Sequence, residues 1–425
     1  MHIMRTLLFP RLVLTLLFSL SAVFASAAAL PGKGAAPQVA KPKFAPAAAD
    51  PGATISLPQP MREWTVMVFA NGRNDLAPNL LRDANEMEAS GSGPNVNVVL
   101  ELGMMNHEYL KETGVKAWRG NRRFYITRDG NMEQLSSIPL PGEFQADMAS
   151  YRHLIHFGKW VKQNFPAKKY MLIVSNHGDG LDGISYDDIS MRNMSMEGLG
   201  KAVSGIGGVD VYASDACLMQ MAEVAYALKG SAKAVVGSEE IVPLDGYDYT
   251  ALVDELKAKP GMGAEEASQM LVRTFDKSYE GSGEYTTLSA LKMTELGKLS
   301  PLIKAWTEAA MLAPDAALLK AVREARAFDT PSYRDLHHFV TIAARQSKDA
   351  ALLAATDALT GFIDNTLLLG NEQRHLKQAN GLAVYIPTSA RIMASYKKTA
   401  FAEDSGWYSF LNWMRKQGLL YKDLR

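Results

Sequence analysis

Five short apolar, Val-rich runs punctuate the chain: WTVMVFA (64–70), VNVVLEL (96–102), YMLIVSN (170–176), VDVYAS (209–214) and AKAVVGS (232–238). Between them lie longer segments in which apolar residues recur with helical spacing, such as LAPNLLRDANEMEA (76–89), MASYRHLIHFGKWVKQNF (148–165) and LMQMAEVAYALKG (218–230). Strands that are apolar along nearly their whole length and alternate with helices require a largely parallel sheet with both faces covered. The expected fold class is therefore α/β, a mostly parallel central sheet flanked by helices. Beyond about residue 285 the pattern becomes mainly helical (ELGKLSPLIKAWTEAAML, DAALLAATDALTGFIDNTLLL), and GLAVYIP returns as a strand. This predicts a core over residues 61–284 and a C-terminal subdomain, 285–425, packed on it.

The N-terminus has a different pattern. In MHIMRTLLFPRLVLTLLFSLSAVFASAAA, Arg5 and Arg11 precede an apolar run, and Ala25-Ser26-Ala27 gives small residues at the A-x-A spacing. Residues 1–27 read as a cleavable secretory signal peptide, which makes a secreted or periplasmic location the expectation. Residues 28–60, rich in Pro, Ala and Gly, read as a linker or leader with too little apolar surface to fold alone. No other run reaches the length of about 18 apolar residues that a spanning helix needs, so no membrane span is expected in the mature chain. Charge is balanced, with 45 basic and 45 acidic residues. Without a basic field, a nucleic-acid partner is not expected. A monomer is expected.

Candidate chemistry follows from the strand exits, because an open α/β sheet gathers functional groups on the loops past the carboxyl ends of its strands. SNHGDG puts His177 and Gly178 at one exit, and SDAC puts Cys217, the only cysteine, at the next. If those strands are neighbours, imidazole and thiol form a Cys-His dyad. The N–H groups of Gly178 and Cys217 would then form an oxyanion hole. A helix starting near Leu218 would lower the thiol pKa with its positive N-terminal end. Asp215, two residues before Cys217 in extended backbone, projects to the same side as the thiol.

At these residues the sequence resembles the caspase-like cysteine peptidases, and in particular the clostripain family. Four stretches carry the likeness: WTVMVFANGRNDL, SNHGDGLDGISYDD, SDACLMQMAEVAYAL and GSEEIVPLDGYDY. A weaker one, SYRDLHHFV and GLAVYIP, extends it to about residue 387. The resemblance implies an endopeptidase with His177 as general base and acid and Cys217 as nucleophile, working through a thioester acyl-enzyme on protein or peptide substrates. It also implies cleavage after Arg or Lys. Asp245 matches the family position expected to line the specificity pocket, and Asp215 would be a supporting wall. Family members can cut themselves between the histidine and cysteine strands, where Arg192 lies in the polar stretch DDISMRNMSMEG and is the candidate self-cleavage residue of a less active precursor. One departure is that Arg73 stands where the family more often shows an acidic residue.

Other histidines and acidic residues carry less. His153 and His156 sit three apart on a helix with no third metal ligand evident. The tandem His337-His338 has neighbours that point apart. No cofactor is required by the dyad. Calcium at Asp179, Asp182, Asp187 and Asp188 is the one metal reading, since some family members use calcium, although the stretch lacks the spacing of an EF-hand loop. Two alternatives to an endopeptidase stand: a catalytically silent binding or surface protein on the same scaffold, and an amidase or acyltransferase using the same dyad. A silent relative would not need both His177 and Cys217.

Overall fold

A computed structural model describes residues 55–105, 118–132, 134–140, 142–389 and 391–420. The signal-like segment and most of the leader lie outside these residues. Thirteen strands are present among them: β1 (Arg62–Gly72), β2 (Val96–Met104), β3 (Gly120–Tyr125), β4 (Ile138–Pro139), β5 (Ala167–Ser175), β6 (Ile184–Asp187), β7 (Arg192–Met194), β8 (Val209–Asp215), β9 (Ala232–Gly237), β10 (Thr286–Lys292), β11 (Tyr333–Asp335), β12 (Leu368–Arg374) and β13 (Ala383–Tyr385). Nine of them form one sheet in the order β12-β10-β9-β8-β5-β1-β2-β3-β4. The five Val-rich runs are its parallel centre, and the added strands at both sides run antiparallel.

The apolar runs look continuous because each strand feeds two cores. In β1, Met67 and Phe69 face one core while Val66, Val68 and Ala70 face the other. In β5, Leu172 and Val174 take the first side and Met171 and Ile173 the second. Period-2 alternation is present but both faces are apolar, as for a sheet covered by helices on each side. Each fully buried Phe, Leu or Val of this kind contributes roughly 1.5–3 kcal/mol, so the centre is the least deformable part of the sheet.

The sheet does not stop at residue 285. β10 and β12 both lie beyond it and extend the sheet past β9. The C-terminal part thus shares the sheet and both cores with the preceding chain, where the sequence predicted a subdomain packed on the core. Their apolar residues are interleaved with Thr, Ser, Asn and Gln, which weakened the strand signal. The segment GLAVYIP does return as a strand, β13, but it pairs with β11 outside the main sheet. Among the described residues, no helix is long and apolar enough to cross a membrane.

Arg73, the departure from the family pattern, is buried and pairs with fully buried Asp187 at 3.0 Å. It also donates to the carbonyl of Ala146. Asp187 in turn accepts from the N–H groups of Met148, Ile189 and Ser190. This network fixes the β6–β7 hairpin against the loop after β1. Replacing Arg73 with Met should leave a buried, uncompensated carboxylate at Asp187 and cost about 3–5 kcal/mol. Urea unfolding would measure the loss, and limited proteolysis should find the hairpin newly sensitive; unchanged stability would contradict the role assigned to this pair.

Candidate active site

β1, β5 and β8 are adjacent, parallel and in register: Ala70 lies beside Ser175, and Ser175 beside Asp215. From β1 the chain builds outward to β2, then returns to place β5 on the other side of β1. The exits of β1 and β5 therefore flank the sheet's switch point, where α/β sheets open a crevice for ligands. His177 lies two residues past Ser175, Cys217 two past Asp215, and Asp75 three past Gly72 at the end of β1. Three chemically capable side chains thus leave the same edge of the sheet from successive strands.

Their contacts are specific. His177 Nε2 lies 2.7 Å from Asp75 Oδ1, with the two side chains 44% and 57% exposed. Cys217 is partly buried, and its Sγ accepts the N–H of Val242 at 3.3 Å. Burial pushes the thiol up; the Val242 N–H opposes this, and the carboxylates of Asp215, Asp329 and Glu240 push it further up. Burial and the three carboxylates thus favour the neutral thiol over the thiolate. The ring and thiol are not hydrogen-bonded to each other, a common state of catalytic pairs before substrate arrives.

The backbone around the sulfur differs from the sequence expectation. Leu218 has left-handed geometry (φ 62°), and the helix spans only Ala222–Ala227. The intervening residues are captured by neighbouring chain: Leu218 donates to the carbonyl of Glu240, Gln220 to that of Ser238, and Ala383 donates to the carbonyl of Gln220. No helix begins beneath the sulfur, so the expected lowering of the thiol pKa is absent and the shift is upward.

Gly178 is required by close approach. A Cβ built there would lie 2.5 Å from the carbonyl oxygen of Cys217 and 3.0 Å from the Ala216 Cβ. Among the described residues, the N–H groups of Gly178 and Cys217 donate to no protein acceptor, whereas those of Asp179 and Leu218 do. Two free N–H groups on touching loops are the arrangement an oxyanion hole needs.

The two acidic candidates fall in contrasting places. Asp245 is on the surface, 71% exposed, and pairs with Arg82 at 2.7 Å. Asp215 is buried, and it accepts from the Tyr249 hydroxyl (2.9 Å), the Tyr247 N–H (3.4 Å) and the Ser175 hydroxyl (3.4 Å). A Cβ on Gly246 would come within 2.7 Å of its carboxylate, so the turn that carries Asp245 wraps Asp215 instead. Burial pushes the Asp215 carboxyl up to about 6, against the hydrogen bonds it accepts.

The remaining sequence candidates have ordinary partners. His153 and His156 contact Glu101 and Arg123, His337 pairs with Asp364, and His338 accepts the N–H of Arg326. Asp187 is engaged by Arg73, and among the described residues no three His, Cys, Asp or Glu side chains gather as a metal site. Arg192 begins β7, exposed, with its guanidinium on Asp147.

Sequence reading missed Asp75 and Tyr333. Asp75 was findable as an acidic residue at the exit of the strand next to the histidine strand, but strand order is not written locally. Tyr333 pins the histidine loop, its hydroxyl donating to the carbonyl of Asp179 (3.0 Å) and accepting the N–H of Leu181 (3.2 Å). It sits in SYRDLHHFV, so this C-terminal stretch helps to hold the site.

Comparison with known proteins agrees with this architecture. The family model described as Clostripain family matches residues 68–415. Clostripain of Hathewaya histolytica is 27% identical over 229 residues, which covers 48% of this chain and 44% of the relative. The chain thus aligns with less than half the length of that relative. Two solved structures share the fold. A secreted C11 cysteine protease from Bacteroides thetaiotaomicron, in complex with an irreversible peptide inhibitor, has TM-score 0.61 at 16% identity and covers 83% of this chain and 99% of its own. An inactive zymogen C11 protease from Parabacteroides distasonis has TM-score 0.60 at 18% identity, with coverage of 82% and 99%.

The close approach at Gly178 gives a direct check. Gly178→Ala should force apart two backbone segments, since the obstructing atom is a carbonyl oxygen with no rotamer to change. Turnover of a susceptible peptide should fall by about 100-fold or more while the unfolding transition of the sheet is nearly kept. Unaltered turnover in the alanine variant would rule out the use of this glycine in the site.

Proposed function

The chain belongs to the clostripain family, and on that footing we propose that it is an exported cysteine endopeptidase that cuts after Arg or Lys. The observation that carries this reading is the register of β5 and β8, which delivers His177 and Cys217 to adjacent exits beside a buried carboxylate. His177 takes the proton from the Cys217 thiol as the sulfur attacks the substrate carbonyl. The N–H groups of Gly178 and Cys217 receive the developing oxyanion. His177 then returns the proton to the leaving amine, giving a thioester that water hydrolyses with the same histidine as base.

Asp75 is a positioning residue in this scheme. By holding Nε2 it leaves Nδ1 to exchange the proton and stabilises the imidazolium formed on the way. For specificity, the geometry favours Asp215 over Asp245. A buried carboxylate with no cation beside it selects a cationic side chain, whereas Asp245 is already neutralised by Arg82 at the surface.

Self-processing after Arg192 fits the same reading. The hairpin tip is exposed, with Ile189 and Met191 turned outward. The hairpin is also tied to the loop bearing Asp75, through Arg73–Asp187 and through the Asn74 side chain on the Tyr186 carbonyl (2.7 Å). A cut there would loosen the loop that orients His177, which is a route by which cleavage changes activity.

Cys217→Ala and His177→Ala should each abolish peptide hydrolysis, the two acting as a unit. Asp75→Asn should lower kcat by roughly tenfold or more with KM nearly unchanged. A positional-scanning peptide library reports activity and pocket chemistry together: cleavage confined to Arg and Lys supports the reading, and equal cleavage after Arg and Leu refutes an acidic pocket. For processing, fragments of the unaltered chain are sized by mass spectrometry beside those of Cys217→Ala and Arg192→Ala. A cut after Arg192 is expected only in the unaltered chain, and an intact but fully active chain would exclude it.

A further inference from the structure

Glu239 stands in the segment that follows β9, and this segment holds the cysteine loop. The carbonyls of Ser238 and Glu240, on either side of Glu239, accept the N–H groups of Gln220 (2.9 Å) and Leu218 (3.1 Å), and the Val242 N–H reaches Cys217 Sγ. The Glu239 side chain reaches the C-terminal part, where its Oε2 accepts the Gly381 N–H at 2.8 Å. A ring closes through Gly381. Its carbonyl accepts the Ser289 hydroxyl (2.7 Å), and Ser289 Oγ accepts Gln220 Nε2 (2.7 Å). Glu239 thus anchors the residues that set the place of the sulfur.

Beside it is a second buried acid. Asp335 Oδ2 accepts the N–H of Asn380 at 2.5 Å, so successive N–H groups hold the two carboxyls, which are within hydrogen-bonding reach of each other. Asp335 is 0% exposed and Glu239 2%. Asp335 takes three N–H donors, from the Asn380 backbone, the Asn380 side-chain amide (2.8 Å) and the His338 backbone (2.5 Å), as an ionised carboxylate requires. Glu239 Oε1, alone of the four oxygens, has no donor among the described residues. The charged groups around the pair are engaged elsewhere. Glu240 accepts the N–H groups of Ile241 and Asp329, and Arg326 and Arg334 donate to the carbonyls of Lys377 and Ala325. His338 accepts the N–H of Arg326, and His337 pairs with Asp364. Two facing carboxylates without a cation between them are costly to bury, and one proton shared by the pair removes that cost.

We propose that Glu239 is a positioning residue for Cys217 and that the proton it shares with Asp335 is a latch. The segment after β9 stays clasped to the C-terminal part while the proton is present, and is released as pH rises and the proton passes to solvent. Burial, and then the charge of Asp335, push the Glu239 carboxyl well above its ordinary range, and Glu240 adds to the effect. His337 acts on Asp335 in the opposite sense. An acid raised in this way binds its proton more tightly in the folded chain than in the unfolded one. The stability it contributes is full below the ordinary carboxyl range and is lost as pH climbs through the raised value. With the latch open, the placement of the thiol suffers and substrate affinity does not, so kcat is the constant affected.

The kinetic test rests on the proposed peptidase reading. It compares the unaltered full chain with Glu239→Gln, whose amide keeps an N–H between the two side chains at every pH. Over roughly pH 5 to 9, kcat of the unaltered chain should fall by about tenfold on the alkaline side with KM nearly constant, and Glu239→Gln should lack that fall. The same alkaline fall in both proteins, or none in the unaltered chain, would overturn the latch. Hydrogen exchange of the unaltered chain gives an answer that needs neither substrate nor variant. Corrected for the chemical exchange rate, protection around Leu218, Gln220 and Gly381 should drop by about tenfold or more relative to β1 and β5 over the same range. Equal changes, or none, would contradict the proposal. Loss of protection there in a chain that cuts no peptide would fault the peptidase reading and leave the latch standing.

Discussion

The parallel ladder joining β1, β5 and β8 is the constraint on which the rest of the site depends. Because Ala70, Ser175 and Asp215 stand side by side, the chain past each strand emerges at the same height, and a difference of two or three residues decides what faces the crevice. Both faces of these strands are packed into apolar cores, so the register cannot slip by one residue without moving every side chain to the opposite core. The precision of the His177–Cys217 arrangement is in this sense derived from the packing of Met67, Phe69, Leu172 and their counterparts on the other face.

The loops at this edge are held by charge and hydrogen bonding from distant parts of the chain. Arg73 and Asp187 fix the β6–β7 hairpin beside Asp75, and Tyr333 fixes the histidine loop. Glu239 accepts the N–H of Gly381 at 2.8 Å, tying the loop after β9 to the C-terminal part. The electrostatic character is acidic, with Asp215, Glu240 and Asp329 all opposing ionisation of the thiol. Burial and these carboxylates push the Cys217 thiol up, and burial pushes the Asp215 carboxyl up to about 6.

The parallel core and the two catalytic candidates were legible because they rest on local signals: apolar runs, and residue types immediately past them. The place of Asp215 at the cysteine strand's exit was legible from its spacing to Cys217, but the surface placement of Asp245 was not. That depended on how the turn at Gly246 folds back, which leaves Asp245 facing Arg82 and solvent. The helix expected from Leu218 failed for a related reason. Its apolar spacing is helical, yet backbone groups of Ser238, Glu240 and Ala383 compete successfully for residues 218–220, and none of these is near in sequence. Asp75 escaped because its place beside His177 depends on strand order. β10 and β12 escaped because polar residues dilute their pattern.

The central claim is that Cys217, activated by His177, attacks a carbonyl whose preceding basic side chain sits on buried carboxylate. It is tested most directly by incubating the unaltered chain with a peptidyl-arginine acyloxymethyl ketone and mapping the adduct by mass spectrometry. The account predicts one label per chain, on Cys217, abolished in His177→Ala and strongly slowed in Asp215→Asn, with no labelling by the matched leucine reagent. Equal labelling by the arginine and leucine reagents, or labelling undiminished in His177→Ala, would contradict it.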